Sequence, residues 1–188
     1  MIAHGDIVAR IKDILSEHGG EVSVDIFADP VVLEDYITRA ISDAVTLLGA
    51  KGYRVNVARF TGQEMNLDGL DVPVDYVALL LLKLDTWNVA LTEEVAVGSE
   101  RYRIAMNVYT KPGKNSPVVY RQGDLLVCVP HGEVEYGEYN AVYDGKNLNA
   151  EEREAAAVAY MAAALVMGFF EDDNGKQRLS DISTNILQ

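Results

Sequence analysis

The chain has 188 residues, which fits one ordinary domain, and hydrophobic residues make up 49% of it, so a sizeable core can form. Its 16 Lys and Arg residues stand against 29 Asp and Glu residues. The resulting net charge of −13 excludes a nucleic-acid binder that works by overall basicity and disfavours an anionic membrane as partner.

Neither a secretory signal nor a membrane span is predicted. Asp6 and Asp13 interrupt any apolar stretch near the start of the chain, and the longest uncharged apolar run is 155–170. That run is shorter than the ~20 residues that cross a bilayer. We therefore expect synthesis in the cytoplasm. The single cysteine, Cys128, excludes an internal disulfide and is predicted to be a buried, inert thiol because its neighbours are apolar.

Two amphipathic helices are predicted near the N-terminus. The first ends at Gly19-Gly20, and its apolar residues recur at helical spacing: Ile7, Val8, Ile11, Ile14 and Leu15. The second has Asp29 as N-cap, Pro30 at its first position and Gly49 as its stop. The face that it is predicted to bury holds Leu33, Ile37, Ala40, Ile41, Ala44, Val45 and Leu48.

The middle of the chain is predicted to be rich in strands. Residues 53–57 alternate between polar and apolar as a strand does. Residues 79–82 are a continuous apolar run, and their periodicity leaves a buried strand and a short helix equally open. Ser99 is predicted to cap a short helix that runs to about Asn107.

The later part of the chain is predicted to hold a hairpin, a further strand and a long helix. Residues 117–121 and 125–129 pair around a Gln-Gly turn, and residues 134–143 alternate loosely. Asn149 is predicted to cap an Ala-rich helix that ends near Phe170. We therefore predict a single α+β domain over residues 1–188, in which residues 171–188 form a short final helix or a flexible tail.

The charge is distributed unevenly along the chain. Residues 61–100 carry a net charge of −7 and residues 123–154 carry −6. Between them lies a basic segment, residues 101–122, which has no acid and carries Arg101, Arg103, Lys111, Lys114 and Arg121. One interpretation is a surface that is neutralised within one fold. The other is a self-complementary interface between copies of the chain.

Aromatic residues accompany these bases. Tyr102, Tyr109 and Tyr120 lie within the basic segment, and Trp87 precedes it. Tyrosine and tryptophan are frequent interface anchors and equally frequent core residues, so both interpretations stay open. Bases with aromatic residues also suit a groove for single-stranded nucleic acid, but the acidic blocks on either side disfavour that use.

No motif for catalysis or cofactor binding is present. His4, His18 and His131 have no partner at metal-motif spacing, and the sequence lacks a nucleophile elbow, a phosphate loop and a dinucleotide fingerprint. We predict no cofactor and no enzyme. Two alternatives remain: a small acidic metal-dependent hydrolase that uses the carboxylates of 133–138 or 171–173, and an acidic regulatory or DNA-mimicking binding protein.

A set of motifs in the middle of the chain carries a family resemblance. The motifs are Val72-Pro73-Val74-Asp75-Tyr76, the apolar run 79–82, Lys83, Trp87, Glu93-Glu94, residues 99–102, residues 107–110 and the basic turn 111–118. With these motifs, and with the flanking helices in matching places over roughly residues 30–170, the chain resembles head–tail connector (ring or adaptor) proteins of tailed bacteriophages. The resemblance is to those of short-tailed, crAss-like phages in particular.

This resemblance implies a structural virion protein without catalytic activity. Such proteins form rings, often twelvefold, which lie below the portal, join capsid to tail and surround the DNA channel. The implied partners are other copies of the chain, the portal and other tail or connector proteins. Genomic DNA would pass through without specific binding, and the implied location is the virion.

A ring also requires two unlike patches on each copy, because its contacts are heterologous. The basic segment between two acidic blocks supplies them. Acidic residues along the channel would also avoid trapping DNA phosphates in transit. The residues predicted for the subunit, portal or tail interface are Trp87, Arg101, Tyr102, Arg103, Tyr109, Lys111, Lys114 and Arg121.

Overall fold

A computed structural model describes residues 1–18, 30–60, 69–107, 109, 111–170 and 172–188. Over these residues the helices are α1 (His4–His18), α2 (Pro30–Ala50), α3 (Glu100–Ala105), α4 (Glu152–Phe169) and α5 (Asp173–Leu187). The strands are β1 (Ile2–Ala3), β2 (Val57–Arg59), β3 (Leu70–Asp71), β4 (Tyr76–Leu84), β5 (Val118–Gln122), β6 (Leu125–Val129), β7 (Val134–Ala141) and β8 (Asn147–Leu148). The predicted α+β class is confirmed.

The chain forms two compact units. Unit 1 contains Met1–Val57 and Ala141–Gln188, and unit 2 contains Ala58–Asn140. The prediction of one domain over residues 1–188 stays a prediction. Within the described helices, none combines the length and the apolar character that a bilayer crossing requires.

Unit 1 is built around α4, which contacts α1, α2 and α5. A helix with neighbours on several sides needs small residues where those neighbours approach, and most alanines of α4 are fully buried. The core positions predicted for α1 and α2 are buried without exception. Both N-terminal helices and the long Ala-rich helix are therefore confirmed.

The predicted end of α2 is confirmed and the predicted start of α4 is wrong. The helix α2 begins at Pro30 and ends at Ala50, one residue beyond Gly49. Glu151, not Asn149, occupies the N-cap position of α4. Asn149 is engaged elsewhere, because its Nδ2 donates to the Val57 carbonyl oxygen. The predicted Asp29 cap and the Gly19-Gly20 stop lie outside the described residues.

Residues Asp173–Leu187 form a packed helix, which confirms the final helix that was one of the two alternatives for the end of the chain. The carboxylate of Asp172 caps α5 by accepting a hydrogen bond from the Gly175 amide at 2.9 Å. Leu179 and Leu187 are buried, and buried Ser183 donates through Oγ to the Ala157 carbonyl of α4 at 2.7 Å. These contacts fasten α5 along α4.

The predicted strand over residues 53–57 is wrong, since β2 begins only at Val57. The Val55 amide donates to the Tyr53 carbonyl at 2.9 Å, and such a local turn interrupts an extended strand. Buried Asn56 then connects two other segments. Its Nδ2 donates to the Ala141 carbonyl at 3.0 Å, and its Oδ1 accepts from the Asn149 amide at 3.0 Å.

Unit 2 contains two small three-stranded sheets. In the first, with order β3-β6-β5, both pairings are antiparallel and Val119 lies opposite Cys128. The predicted hairpin is confirmed, and Gly123 makes its turn at φ +62°, a left-handed conformation that suits glycine. The second sheet has order β2-β7-β4. It settles residues 79–82 as part of a strand and confirms a strand after Val134.

Cys128 and Ser99 behave as predicted. Cys128 is fully buried, and this burial raises the pKa of its thiol to about 12, which keeps the sulfur protonated and unreactive at neutral pH. Ser99 caps α3, since its Oγ accepts a hydrogen bond from the Tyr102 amide at 3.1 Å. The helix ends at Ala105, two residues short of the predicted end.

Candidate interaction surface

Trp87 is buried inside unit 2, so it does not offer a surface to the predicted interface. Its side chain is only 2% exposed, and its Nε1 donates to the Pro130 carbonyl at 2.7 Å. The indole therefore already has its hydrogen-bond partner and its apolar surroundings. The interpretation of Trp87 as a core residue, which the sequence left open, is the one that the structure supports.

Two of the five bases in the basic segment interact within unit 2. Arg101 forms an ion pair with Glu93. The Arg121 guanidinium carbon lies 5.7 Å from the ring centre of Tyr76, and its Nε donates to the Gly123 carbonyl at 3.1 Å. Arg101 is therefore neutralised within the fold, and the guanidinium of Arg121 is engaged within the fold by a ring and a carbonyl.

Tyr102 helps to hold α3 in place. Its ring meets the ring of Tyr120 edge to face, with 5.0 Å between the ring centres. Both rings pack against a small cluster of buried residues that consists of Val95, Ala105 and Val118. Burial, reinforced by nearby Tyr102, raises the pKa of Tyr120. Tyr102 is therefore half-buried support for α3 and β5 rather than a fully exposed anchor.

The remaining three bases are exposed, and none of them has an ion-pair partner in the described part of the chain: Arg103, Lys111 and Lys114. Two exposed apolar side chains lie near them in sequence. Tyr109 is 95% exposed and Ile104 is 56% exposed. We call these five residues the basic–apolar set. Ile104 escaped the sequence reasoning because helical spacing alone does not tell which face of a six-residue helix is buried.

Local hydrogen bonds hold parts of the backbone that carries this set. The Asn88 amide donates to the Lys114 carbonyl at 2.8 Å. Gly113 and Ser116 close the turn that contains Lys114, because their backbone groups bond to each other. The Tyr109 amide donates to Oδ1 of Asn107 at 3.0 Å. Together with the Ser99 cap of α3, these bonds hold the backbone in the helix of Arg103 and Ile104, at Tyr109 and at Lys114.

Most acidic side chains around β7 and β4 already have partners. Glu135 forms an ion pair with Lys83 at 2.8 Å, and Glu138 forms one with Arg59 at 3.5 Å. The carboxylates that are exposed and without an ion pair among the described residues include those of Glu100, Asp124 and Glu133. Unit 2 therefore offers both unpaired cations and unpaired anions.

Most of the acidic group at 133–138 is engaged in ion pairs. Lys83 and Arg59 occupy two of its three carboxylates. Within the ranges that the structure describes, no group of three or more His, Cys, Asp or Glu side chains is arranged to hold a metal ion. Glu171, in the second acidic group, lies outside the described residues.

No family model and no curated protein matches this chain.

Proposed function

We propose that this chain is a structural virion protein: a subunit of an oligomeric ring in the head–tail connector of a tailed bacteriophage. The ring would lie below the portal and join capsid to tail around the DNA channel. The family assignment rests on the motifs of residues 72–119. The observation that carries the proposed assembly is the basic–apolar set, which exposes unpaired cations and two large apolar side chains on unit 2.

Both parts of the set suit a contact between copies. An exposed ion pair contributes only about 0.2–1 kcal/mol, so three cations alone would bind weakly. Burying a side chain of the size of isoleucine contributes about 1.5–3 kcal/mol, and tyrosine is a frequent interface anchor. The apolar residues would therefore supply most of the affinity, and the cations would select an acidic neighbouring surface and fix the register.

The opposing surface would be acidic. Glu100, Asp124 and Glu133 are candidates because their carboxylates are exposed and lack an internal ion pair in the described ranges. Two unlike patches on one chain generate a head-to-tail contact, which closes into a ring when the rotation between neighbours closes. Each copy would then use its cations toward one neighbour and its anions toward the other.

Charge reversal tests this proposal. Lys111→Glu combined with Lys114→Glu should reduce the incorporation of the protein into phage particles by at least about tenfold, because attraction becomes repulsion in every contact of the ring. Incorporation is measured by quantitative mass spectrometry of purified particles. Circular dichroism should show unchanged folding, since neither lysine supports the fold through an ion pair among the described residues.

The matched control makes the same charge change in unit 1, with Lys51→Glu and Lys146→Glu, whose side chains are also exposed. This control should assemble like the wild type. Normal incorporation of the Lys111/Lys114 variant would contradict the proposed contact, and so would an equal loss in both double variants.

A further inference from the structure

Unit 1 has a groove on its surface that the proposed function leaves unused. Its volume is about 480 Å³, within the range of about 300–1,000 Å³ that is common for binding sites. Three helices line it: α2 with Tyr36, Arg39 and Asp43, the end of α4 with Gly168 and Phe169, and α5 with Lys176.

The apolar part of the groove is formed by aromatic rings. Phe169 is 68% exposed, although it is a large apolar residue at the end of a buried helix. Its ring centre lies 4.8 Å from that of Tyr36. The ring centres of Tyr36 and Phe170 lie 6.2 Å apart. The tilted contact with Tyr36 covers one side of the Phe169 ring and leaves most of the side chain open to solvent. An exposed, ordered aromatic of this kind is typical of a protein-binding surface.

The groove also carries two positively charged side chains, although the protein as a whole is acidic. Arg39 and Lys176 are exposed, and neither has an ion-pair partner in the parts of the chain that the structure describes. The lysine stem lies across the end of α4: a Cβ added at Gly168 would come within 2.7 Å of Lys176 Cδ. The glycine therefore makes room for Lys176 beside the groove. The remaining charged residue of the lining is Asp43.

The apolar surface continues along α2 beyond the groove. Val32 and Leu47 are nearly half exposed, at 48% and 47%. With Tyr36, Arg39 and Asp43 they follow a spacing of three to four residues, which places them along one face of the helix. This face extends over about 22 Å, enough for a short helix or an extended segment rather than for a small molecule alone.

We propose that this groove binds a short acidic segment of a partner protein. An aromatic or aliphatic side chain of the segment packs on Phe169 and Tyr36, and its carboxylates face Arg39 and Lys176. Arginine in particular binds carboxylates through two parallel hydrogen bonds. The inference uses unit 1 alone and does not depend on the proposed ring.

Selection from a random peptide library tests the proposal on the full-length protein. Peptides of about twelve residues should be enriched that combine Asp or Glu with Phe, Leu or Trp, because such a segment matches both the cations and the rings. The affinity of one enriched, fluorescein-labelled peptide is then measured by fluorescence anisotropy. Failure to enrich any peptide, or enrichment without acidic residues, would overturn the proposal.

Four variants sharpen the measurement. Arg39→Glu should weaken binding of the labelled peptide by at least about tenfold. Gly168→Ala should weaken it about threefold by displacing Lys176, the loss of one exposed ion pair, while helix content stays the same or rises. Asp43→Asn should strengthen binding, since it removes a negative charge from the lining. Lys51→Glu, one residue beyond the end of α2 and outside the lining, is the control and should leave binding unchanged.

Equal affinity in Arg39→Glu and wild type would contradict the assignment of the site. Size-exclusion chromatography of the free protein supplies a further check on the occupant. If the wild type formed a dimer that Arg39→Glu dissociated, the groove would belong to a second copy of this chain, and the proposal of a partner segment would be wrong.

Discussion

At the residue scale, the least expected feature is the tyrosine cluster of unit 2. Tyr76 and Tyr139 are both buried, their ring centres lie 5.5 Å apart, and Phe60 lies 4.8 Å from Tyr139. Each hydroxyl has a carboxylate partner: Tyr76 donates to Glu94, and Tyr139 donates to Asp75 at 3.1 Å. Burial, with the carboxylate as a further cause, raises the pKa of both tyrosines, that of Tyr139 to about 12.

This cluster predicts a loss of stability at alkaline pH. Above about pH 10 the tyrosines of the unfolded chain lose their protons while Tyr76 in the folded chain keeps its proton, so the free energy of unfolding falls as pH rises. One such group contributes a slope of up to about 1.4 kcal/mol per pH unit. Tyr76→Phe should remove this contribution. Between pH 8 and pH 11 the free energy of unfolding should therefore fall more in the wild type than in Tyr76→Phe.

Urea unfolding at these two pH values measures the difference. If the free energy of unfolding fell equally in the wild type and in Tyr76→Phe, the assignment of the raised pKa to Tyr76 would be wrong. The remaining tyrosines serve as an internal control, because they ionise in both proteins alike.

At the scale of the elements, α4 decides the architecture of unit 1. Its small side chains face α1, α2 and α5, and Ala163 is fully buried whereas Ala156 is half-buried beside a shallow groove between α1 and α4. The same change at these two positions should therefore have different effects. Ala163→Leu should lower the free energy of unfolding by about 1–3 kcal/mol through overpacking. Ala156→Leu should change it by less than about 0.5 kcal/mol.

Urea unfolding midpoints of the two variants test this difference directly. Since both substitutions replace alanine by leucine within one helix, their effect on helix propensity is shared. Equal destabilisation would show that the space around α4 is not distributed as the structure describes it.

The helices could be predicted from the sequence, and the strand ends and caps could not. Periodicity identified the buried apolar positions of α1 and α2, because a helix face is defined by residues close in sequence. Residues 79–82 are ambiguous in sequence because their strand is defined by its pairing with β7, which is distant along the chain. Asn149 has the residue type of a cap, yet its side chain binds Val57, a contact across 92 positions that no local pattern contains.

The candidate surface was predictable in part for the same reason. The basic segment was visible as a run of charges, but which bases pair internally depends on neighbours such as Glu93 and Tyr76. Trp87 is of a residue type that often anchors interfaces, but it is a core residue, since its side chain is buried and its indole donates to the Pro130 carbonyl. The groove of unit 1 was invisible, since it brings together residues from three separate helices.

At the scale of the whole molecule, the net charge of −13 makes close approach of copies unfavourable unless unlike charges meet locally. Arg103, Lys111 and Lys114 provide such local charges on unit 2. A contact of this kind is sensitive to salt, since screening shortens to about 3 Å at 1 M ionic strength. The proposed ring, if it is held partly by these cations, should therefore dissociate more readily at high salt, and native mass spectrometry of the oligomer measures this.

Electron cryomicroscopy of the phage particle into which this chain is proposed to assemble tests the central proposal most directly. The proposal predicts a closed ring of copies below the portal, with Lys111 and Lys114 of each copy facing acidic residues of its neighbour. Particles that lack the protein, or a ring in which these lysines point into solvent away from every contact, would contradict it.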